Sequence, residues 1–319
     1  MFVDPERSYD LIGDVHGCAH TLTRLLEQLG YRHHGDVWRH PRRQVIFLGD
    51  IIDRGPRIRE ALHLVHAMVE AGQAHCIMGN HEFNALGWYT PAPPESGKTF
   101  VRDHTPRYAM LLQHTFEQFE HYSEEWSAFR EWFMTLPLYL ESERFRVVHA
   151  CWDNAVISQL RLRLSQGRVD LDFLRDAAFN QGFAAKALDR LLRGTDMPLP
   201  EGLTLTSAEG FTRSFFRTKF WEENPQTYGD IVFQPDGLPE KAARMPLSES
   251  QKNKLLLYGP DDPLLFVGHY WRSGTPAPIR PNLACLDYSA VKYGKLVAYR
   301  LDEETRLDPA KFVWVDVER

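Results

Sequence analysis

The chain has 319 residues, 43% of them apolar and 25% charged, with 37 Lys and Arg against 43 Asp and Glu for a formal net charge of -6. That length accommodates one large domain or two modest ones. The acidic balance excludes the basic footprint by which proteins grip nucleic acid independently of sequence, although it leaves nucleotide substrates open. The first predicted element is a short buried strand, Tyr9-Asp10-Leu11-Ile12, which stops at "GDVHG", residues 13–17. A carboxylate and an imidazole, Asp14 and His16, thus sit at the end of a core strand, where desolvating a charge is costly.

Residues 18–30 place Leu22, Leu25, Leu26 and Leu29 at helical spacing and end in Gly30. "QVIFLGD", 44–50, reads as a buried strand. Residues 57–71 follow as a helix with Ile58, Leu62, Val65 and Val69 on one face, and "AHCIMGNHE", 74–82, as a strand ending in a polar turn. This β-α-β-α-β alternation implies right-handed parallel crossovers. The proline-rich loop 87–97 precedes helical patterns over 103–134, and "LYLESERFRVVHA", 138–150, reads as a hairpin. Helix-like composition from 153 to 195 gives way to a Pro- and Gly-punctuated stretch to about 262. Strands then return at 263–270, 282–289, 294–301 and 311–317. The expected organisation is one α/β core, residues 1–150 and 263–319, with a mostly helical cap inserted at 151–262.

Cys18, Cys76, Cys151 and Cys285 stand far apart with no CxxC pair and read as small, buried, reduced thiols of a cytoplasmic protein. The N-terminal "MFVDPERSYD" has acids where a secretory signal has its apolar core. No apolar run approaches the ~18 residues of a membrane span.

The strand end at Asp14 is repeated. The second strand ends in "GDIIDRGP", 49–56, the third in "GNHE", 79–82, and two later ones in His149 and His269, within "VHA" and "GHY". Five strand ends thus carry potential metal ligands, and in open α/β sheets ligands bind at the carboxyl ends of strands. Asp14, His16, Asp50, Asn80, His149 and His269 offer mixed oxygen and nitrogen donors without a thiolate. Such a set suits Mn²⁺, Fe or Zn²⁺ in an open catalytic site. Six protein ligands are too many for one open ion and suit two ions sharing a bridging carboxylate, an arrangement that attracts phosphate.

In their order and spacing, "GDVHG", "GDIIDRG", "GNHE", "VHA" and "GHY" resemble the phosphoprotein phosphatase family of calcineurin-like metallophosphoesterases. That family includes protein Ser/Thr phosphatases and symmetrical dinucleoside tetraphosphatases. The resemblance implies an α/β fold, a two-sheet β-sandwich flanked by helices, over 1–150 and 263–319. It implies two divalent ions, Mn first with Fe or Zn as alternatives, one held by Asp14 and His16, the other by Asn80, His149 and His269, with Asp50 bridging. It further implies that His81 protonates the leaving oxygen, that Asp53 orients His81, that Arg54 grips the phosphate, and that a water between the metals attacks in line. A second phosphate-binding arginine is assigned loosely to Arg217.

Two departures divide the substrate reading. Met78 stands where protein phosphatases carry Arg, and Glu82 where tetraphosphatases more often carry Asp. The implied substrates are a Ser/Thr phosphoprotein or other phosphomonoester, with diadenosine tetraphosphate or a related nucleotide as the alternative. Duplex nucleic acid and membrane are not expected partners. A non-catalytic metal-binding interaction protein is the reading from another class, opposed by the intact ligand set and dyad. Trp88, Tyr89, Tyr270 and Trp271 flank the motifs and are read as core or rim packing ahead of base stacking.

Overall fold

The computed structural model describes residues 3–4, 6–206, 210, 212–233 and 238–318. The chain divides into two compact units, residues 1–192 with 263–319, and residues 193–262.

The first unit is built on two sheets. In the six-stranded sheet the Ser8–Ile12 strand is central. It runs parallel to Arg43–Phe47 and antiparallel to Lys295–Leu301. Ala74–Cys76 extends one side in parallel, while Asp287–Tyr288 and Phe312–Asp316 flank Lys295–Leu301 on the other. The four-stranded sheet runs Leu283–Cys285, Leu264–Val267, Phe145–Val148, Tyr139–Glu141, with the first three mutually parallel. Strand side chains alternate between faces. Tyr9 and Leu11 therefore face Phe145, Val147, Leu264 and Phe266 in the core between the sheets. Burial of each such side chain is worth about 1.5–3 kcal/mol, which makes this layer the main source of the unit's stability. The opposite face of the six-stranded sheet carries helices such as Ala19–Gln28, whose Leu22, Leu25 and Leu26 are buried.

The β-α-β-α-β opening and the hairpin at 139–148 stand where the sequence places them. The helical patterns over 103–134 form two helices, Pro106–Phe119 and Ser123–Phe133. Three features differ. "NLACLDYS" is not one strand: Leu283–Cys285 belongs to the four-stranded sheet and Asp287–Tyr288 to the six-stranded one. A hairpin of Arg32–His34 with Val37–Arg39 lacks any buried residue and so left no apolar signal. Finally, the helices over 154–193 pack with the first unit through residue 192 instead of forming part of an inserted cap. The Ala150 amide donates to the Leu191 carbonyl at 2.9 Å, the Arg190 guanidinium donates to Asp153 at 3.2 Å, and Ala187, Leu188, Leu191 and Leu192 are buried.

The second unit has its own small core of Met197, Leu199, Phe216, Tyr228, Ile231 and Leu247. Thr195–Pro198 pairs antiparallel with Phe215–Thr218, and the helices Tyr228–Ile231, Glu240–Ala243 and Glu249–Lys252 are single turns. Among the described residues no helix is long and apolar enough to cross a membrane.

Candidate active site

Five strands of the first unit deliver their carboxyl ends to one place. Ile12 leads to Asp14, Phe47 to Asp50, Cys76 to Asn80, Val148 to His149 and Val267 to His269. The turns that follow are conformationally demanding. Among the described residues nine non-glycine residues have positive φ, and six of them are His16, Asp50, Asp53, Arg54, His269 and Trp271. Such backbone costs on the order of 1–3 kcal/mol per residue and clusters where function requires a fixed geometry.

Asp50 is the hub. Its Oδ1 accepts from the His81 amide at 3.0 Å, in the first turn of the Asn80–Tyr89 helix, where amides are unsatisfied and favour an anion. Its Oδ2 faces three imidazoles: His149 Nε2 at 3.3 Å, His16 Nε2 at 3.6 Å and His81 Nε2 at 3.9 Å. Two donor groups therefore share this carboxylate, His16–Asp50–His81 and Asp50–His149–His269. Asn80 Oδ1 joins the second, 3.0 Å from His149 Nε2 and 2.9 Å from His269 Nδ1. Asp14 stands outside both groups. Its carboxylate accepts from the His269 amide at 3.3 Å, which binds the first motif to the last.

Backbone carbonyls orient the histidines. His16 Nδ1 donates to Ile52 O and His149 Nδ1 to Leu48 O, each at 2.7 Å, so in both rings Nε2 is directed inward. This is the support that ligating histidines usually have. Glu82 supports the turns. Its carboxylate accepts from the amides of Asp50 at 2.8 Å, Ile51 at 2.8 Å and Gly79 at 2.9 Å. Glycine is required where the carboxylates press on backbone: a Cβ at Gly268 would lie 2.1 Å from Asp14 Oδ1, and one at Gly79 would lie 2.1 Å from Asp50 Oδ1.

The electrostatics fit divalent cations. Burial, with Asp287 adding to it, pushes the Asp14 carboxyl well above the usual carboxylate range. Burial opposes charge on His149, but Asp50 outweighs it and holds the imidazole's pKa at about 10. Without a cation the cluster must thus keep protons that oxygen and nitrogen donors would give up to a metal. His16 is lowered to about 4 by burial and by neighbouring His81, leaving its Nε2 lone pair free at neutral pH.

A second chain of contacts leads away from the cluster. His81 Nδ1 donates to Asp53 Oδ2 at 2.6 Å, and the other Asp53 oxygen accepts from the Thr115 hydroxyl. Burial raises Asp53 to about 7 although Thr115 pulls it down. Thr115 lies inside the amphipathic Pro106–Phe119 helix, and nothing in its sequence context marks it. Arg54 projects from the same turn, and its Nε is buried without a hydrogen-bond partner among the described residues. Its guanidinium carbon lies 4.9 Å from the Trp271 ring centroid. Asp287, another residue with no motif to flag it, accepts from the Trp271 amide at 3.1 Å.

The remaining sequence-level candidates divide. Trp88 is packed: its ring stacks on His104 at 3.7 Å, and His104 stacks on Phe100 at 4.2 Å. Arg217 belongs to the second unit, on Phe215–Thr218, and its guanidinium donates to the Arg193 carbonyl of that unit. All four cysteines are free and buried.

Fold and site define a phosphoesterase class. The model of the calcineurin-like phosphoesterase family matches residues 9–200, and the chain belongs to that family. Among curated relatives, the asymmetrical bis(5'-nucleosyl)-tetraphosphatase PrpE of Oceanobacillus iheyensis is 34% identical over 142 residues, covering 44% of this chain and 54% of the relative. PrpE of Halalkalibacterium halodurans is 43% identical over 74 residues, 23% of this chain and 30% of the relative. The chain thus spans about half the length of the first relative and under a third of the second. Among solved structures, a protein serine/threonine phosphatase of Saccharomyces cerevisiae superposes with a TM-score of 0.51 at 14% identity, covering 99% of this chain and 81% of that one. This likeness extends the agreement to the fold.

Proposed function

We propose that the chain hydrolyses phosphate esters or anhydrides with two divalent metal ions. The observation that carries this reading is Asp50, whose Oδ2 faces His16, His81 and His149 together while Oδ1 is tied to the His81 amide. His16 and Asp50 would hold one ion, with Asp14 beside them. Asp50, Asn80, His149 and His269 would hold the other, and Mn²⁺ suits these donors, with Fe or Zn²⁺ as alternatives. When bound, the ions would polarise the phosphoryl group and offset its negative charge. Arg54 presents its donor fork to the phosphate oxygens. His81 carries the proton for the departing oxygen on Nε2, and Asp53, itself anchored by Thr115, fixes the ring by accepting from Nδ1.

The name of the relatives supports a nucleotide polyphosphate as substrate ahead of a phosphoprotein. The packing of Trp88 against His104 moves any base-stacking role away from that residue. Arg217 stays a candidate second phosphate-binding residue by its charge alone.

Metal removal is the direct test. Chelated protein loses turnover of an aryl phosphate and Mn²⁺ restores it. Because Asp50 raises the His149 imidazole to about 10, ligation releases a proton, so Mn²⁺ affinity falls as pH drops below that value. Calorimetry in buffers of different ionisation enthalpy reads that release. Full turnover by metal-stripped protein would refute the proposal.

A further inference from the structure

Trp271 carries two cations. The Arg54 guanidinium carbon is 4.9 Å from its ring centroid and the Lys292 ammonium is 4.1 Å from it. Among the described residues neither side chain forms an ion pair, and Arg54 Nε has no hydrogen-bond partner. One carboxylate fixes both sides of the arrangement. Asp287 Oδ2 accepts from the Trp271 amide at 3.1 Å, and its Oδ1 accepts from the Ser289 amide at 2.9 Å. Ser289 opens the Ala290–Lys292 turn, so Asp287 sets the ring and the lysine in one frame. Two like charges held on one ring repel, and an anion reaching both relieves that repulsion.

We propose that Arg54 and Lys292, ordered on Trp271, form a two-point clamp for a chain of phosphates, with Lys292 as the residue that selects a di- or polyphosphate over a monoester. This rests on the reading that Arg54 binds the reacting phosphate. One phosphate occupies the Arg54 fork, and Lys292 takes a neighbouring phosphate of the same chain. Arg54 also lines a cavity of about 520 Å³ whose walls include Cys18, His20, His114, Tyr293 and the carboxylates Glu117 and Glu318. That volume lies within the range of small-molecule sites, and its mixture of apolar carbon, imidazole, phenol and carboxylate suits the uncharged nucleoside, whose hydroxyl and amino groups donate to carboxylates, rather than a further phosphate. The ligand class is therefore a nucleoside polyphosphate. Both cations belong to the first unit, so the clamp needs nothing from residues 193–262.

The test is calorimetric titration of the Mn²⁺-loaded protein with ADP and with AMP, which differ by one phosphate. The wild type binds ADP more tightly. Lys292→Gln, on an exposed side chain that leaves the fold intact, weakens ADP by roughly tenfold and leaves AMP unchanged, as loss of one charge-assisted contact predicts. Lys292→Arg retains the preference. An ADP affinity untouched by Lys292→Gln, or an equal loss on AMP, overturns the clamp. Failure of the proposed hydrolysis is read separately, as absence of Mn²⁺-dependent turnover of aryl phosphate by the wild type, and the ADP-to-AMP ratio still decides the clamp.

Discussion

The site's residues are matched to their tasks by what lies behind them. His81 is the sharpest case, because its Nε2 lies in the first donor group while its Nδ1 is held by Asp53. A proton donor and a metal ligand are both compatible with that position, and they predict different phenotypes. As a proton donor, His81→Ala loses about 10²–10⁴-fold on alkyl phosphates, whose alkoxide needs a proton. It loses far less on nitrophenyl phosphate, whose phenolate departs unaided, and its metal content stays at the wild-type level. Equal losses on both substrates together with a reduced metal content would make His81 a ligand instead. Residue chemistry also explains Glu82, one of the two positions that divide the substrate reading of the sequence. Here it binds the amides of Asp50, Ile51 and Gly79, so its job is to hold turns, and it does not reveal the substrate.

At the scale of elements, the strand ends converge because glycines let backbone meet carboxylate. The Leu264–Val267 strand runs straight into Gly268, and a methyl group there would lie 2.1 Å from Asp14 Oδ1. Gly268→Ala must therefore displace either the Asp14 carboxylate or the turn bearing His269. Overpacking of this kind costs about 1–3 kcal/mol. The expected result is a lower urea midpoint together with weakened Mn²⁺ binding in a metal titration. A variant with wild-type Mn²⁺ affinity would show that the Asp14–His269 contact is dispensable to the site. The helix Asn80–Tyr89 contributes in the same way, since its first-turn amide is what fixes one Asp50 oxygen and frees the other.

At the scale of the whole first unit, the two ends of the chain are joined beside the central strand. Asp10 is fully buried, yet it accepts from Arg43 at 3.1 Å, Arg300 at 3.1 Å and the Tyr31 hydroxyl at 3.0 Å. It thereby ties Arg43–Phe47 and Lys295–Leu301 to Ser8–Ile12. Arg43 keeps Asp302 and the Tyr9 and Leu301 carbonyls, and the partly exposed Arg300 keeps the Leu29 carbonyl, so Asp10→Ala leaves unmet donors more than unpaired charge and is expected to cost about 1–3 kcal/mol. Urea denaturation measures the loss, with turnover per folded molecule preserved because Asp10, in the middle of the strand, bonds to Tyr31, Arg43 and Arg300 and to no residue of the site. A loss under 1 kcal/mol would show that the two arginines find solvent without penalty.

Much of this protein was decided locally and is therefore legible in its sequence. Apolar runs and glycine-bracketed turns specify parallel strands with donors at their ends. A strand of five residues followed by Gly-Asp carries its own geometry, and the periodicity of 19–28 or 58–70 needs no partner to be read. What only the tertiary structure decided depends on contacts between residues far apart in the chain. Thr115 reaches Asp53 across 62 positions, and Lys292, which no motif marks, comes with Arg54 to the Trp271 ring. "NLACLDYS" changes sheets after Cys285 because each half finds a different neighbour, and the helices at 154–193 join the core through the docking of Leu191 on Ala150. Local turn chemistry names the candidate ligands. The closing of long loops determines which side chains surround them, because that outcome rests on packing between segments and not on the character of any one segment.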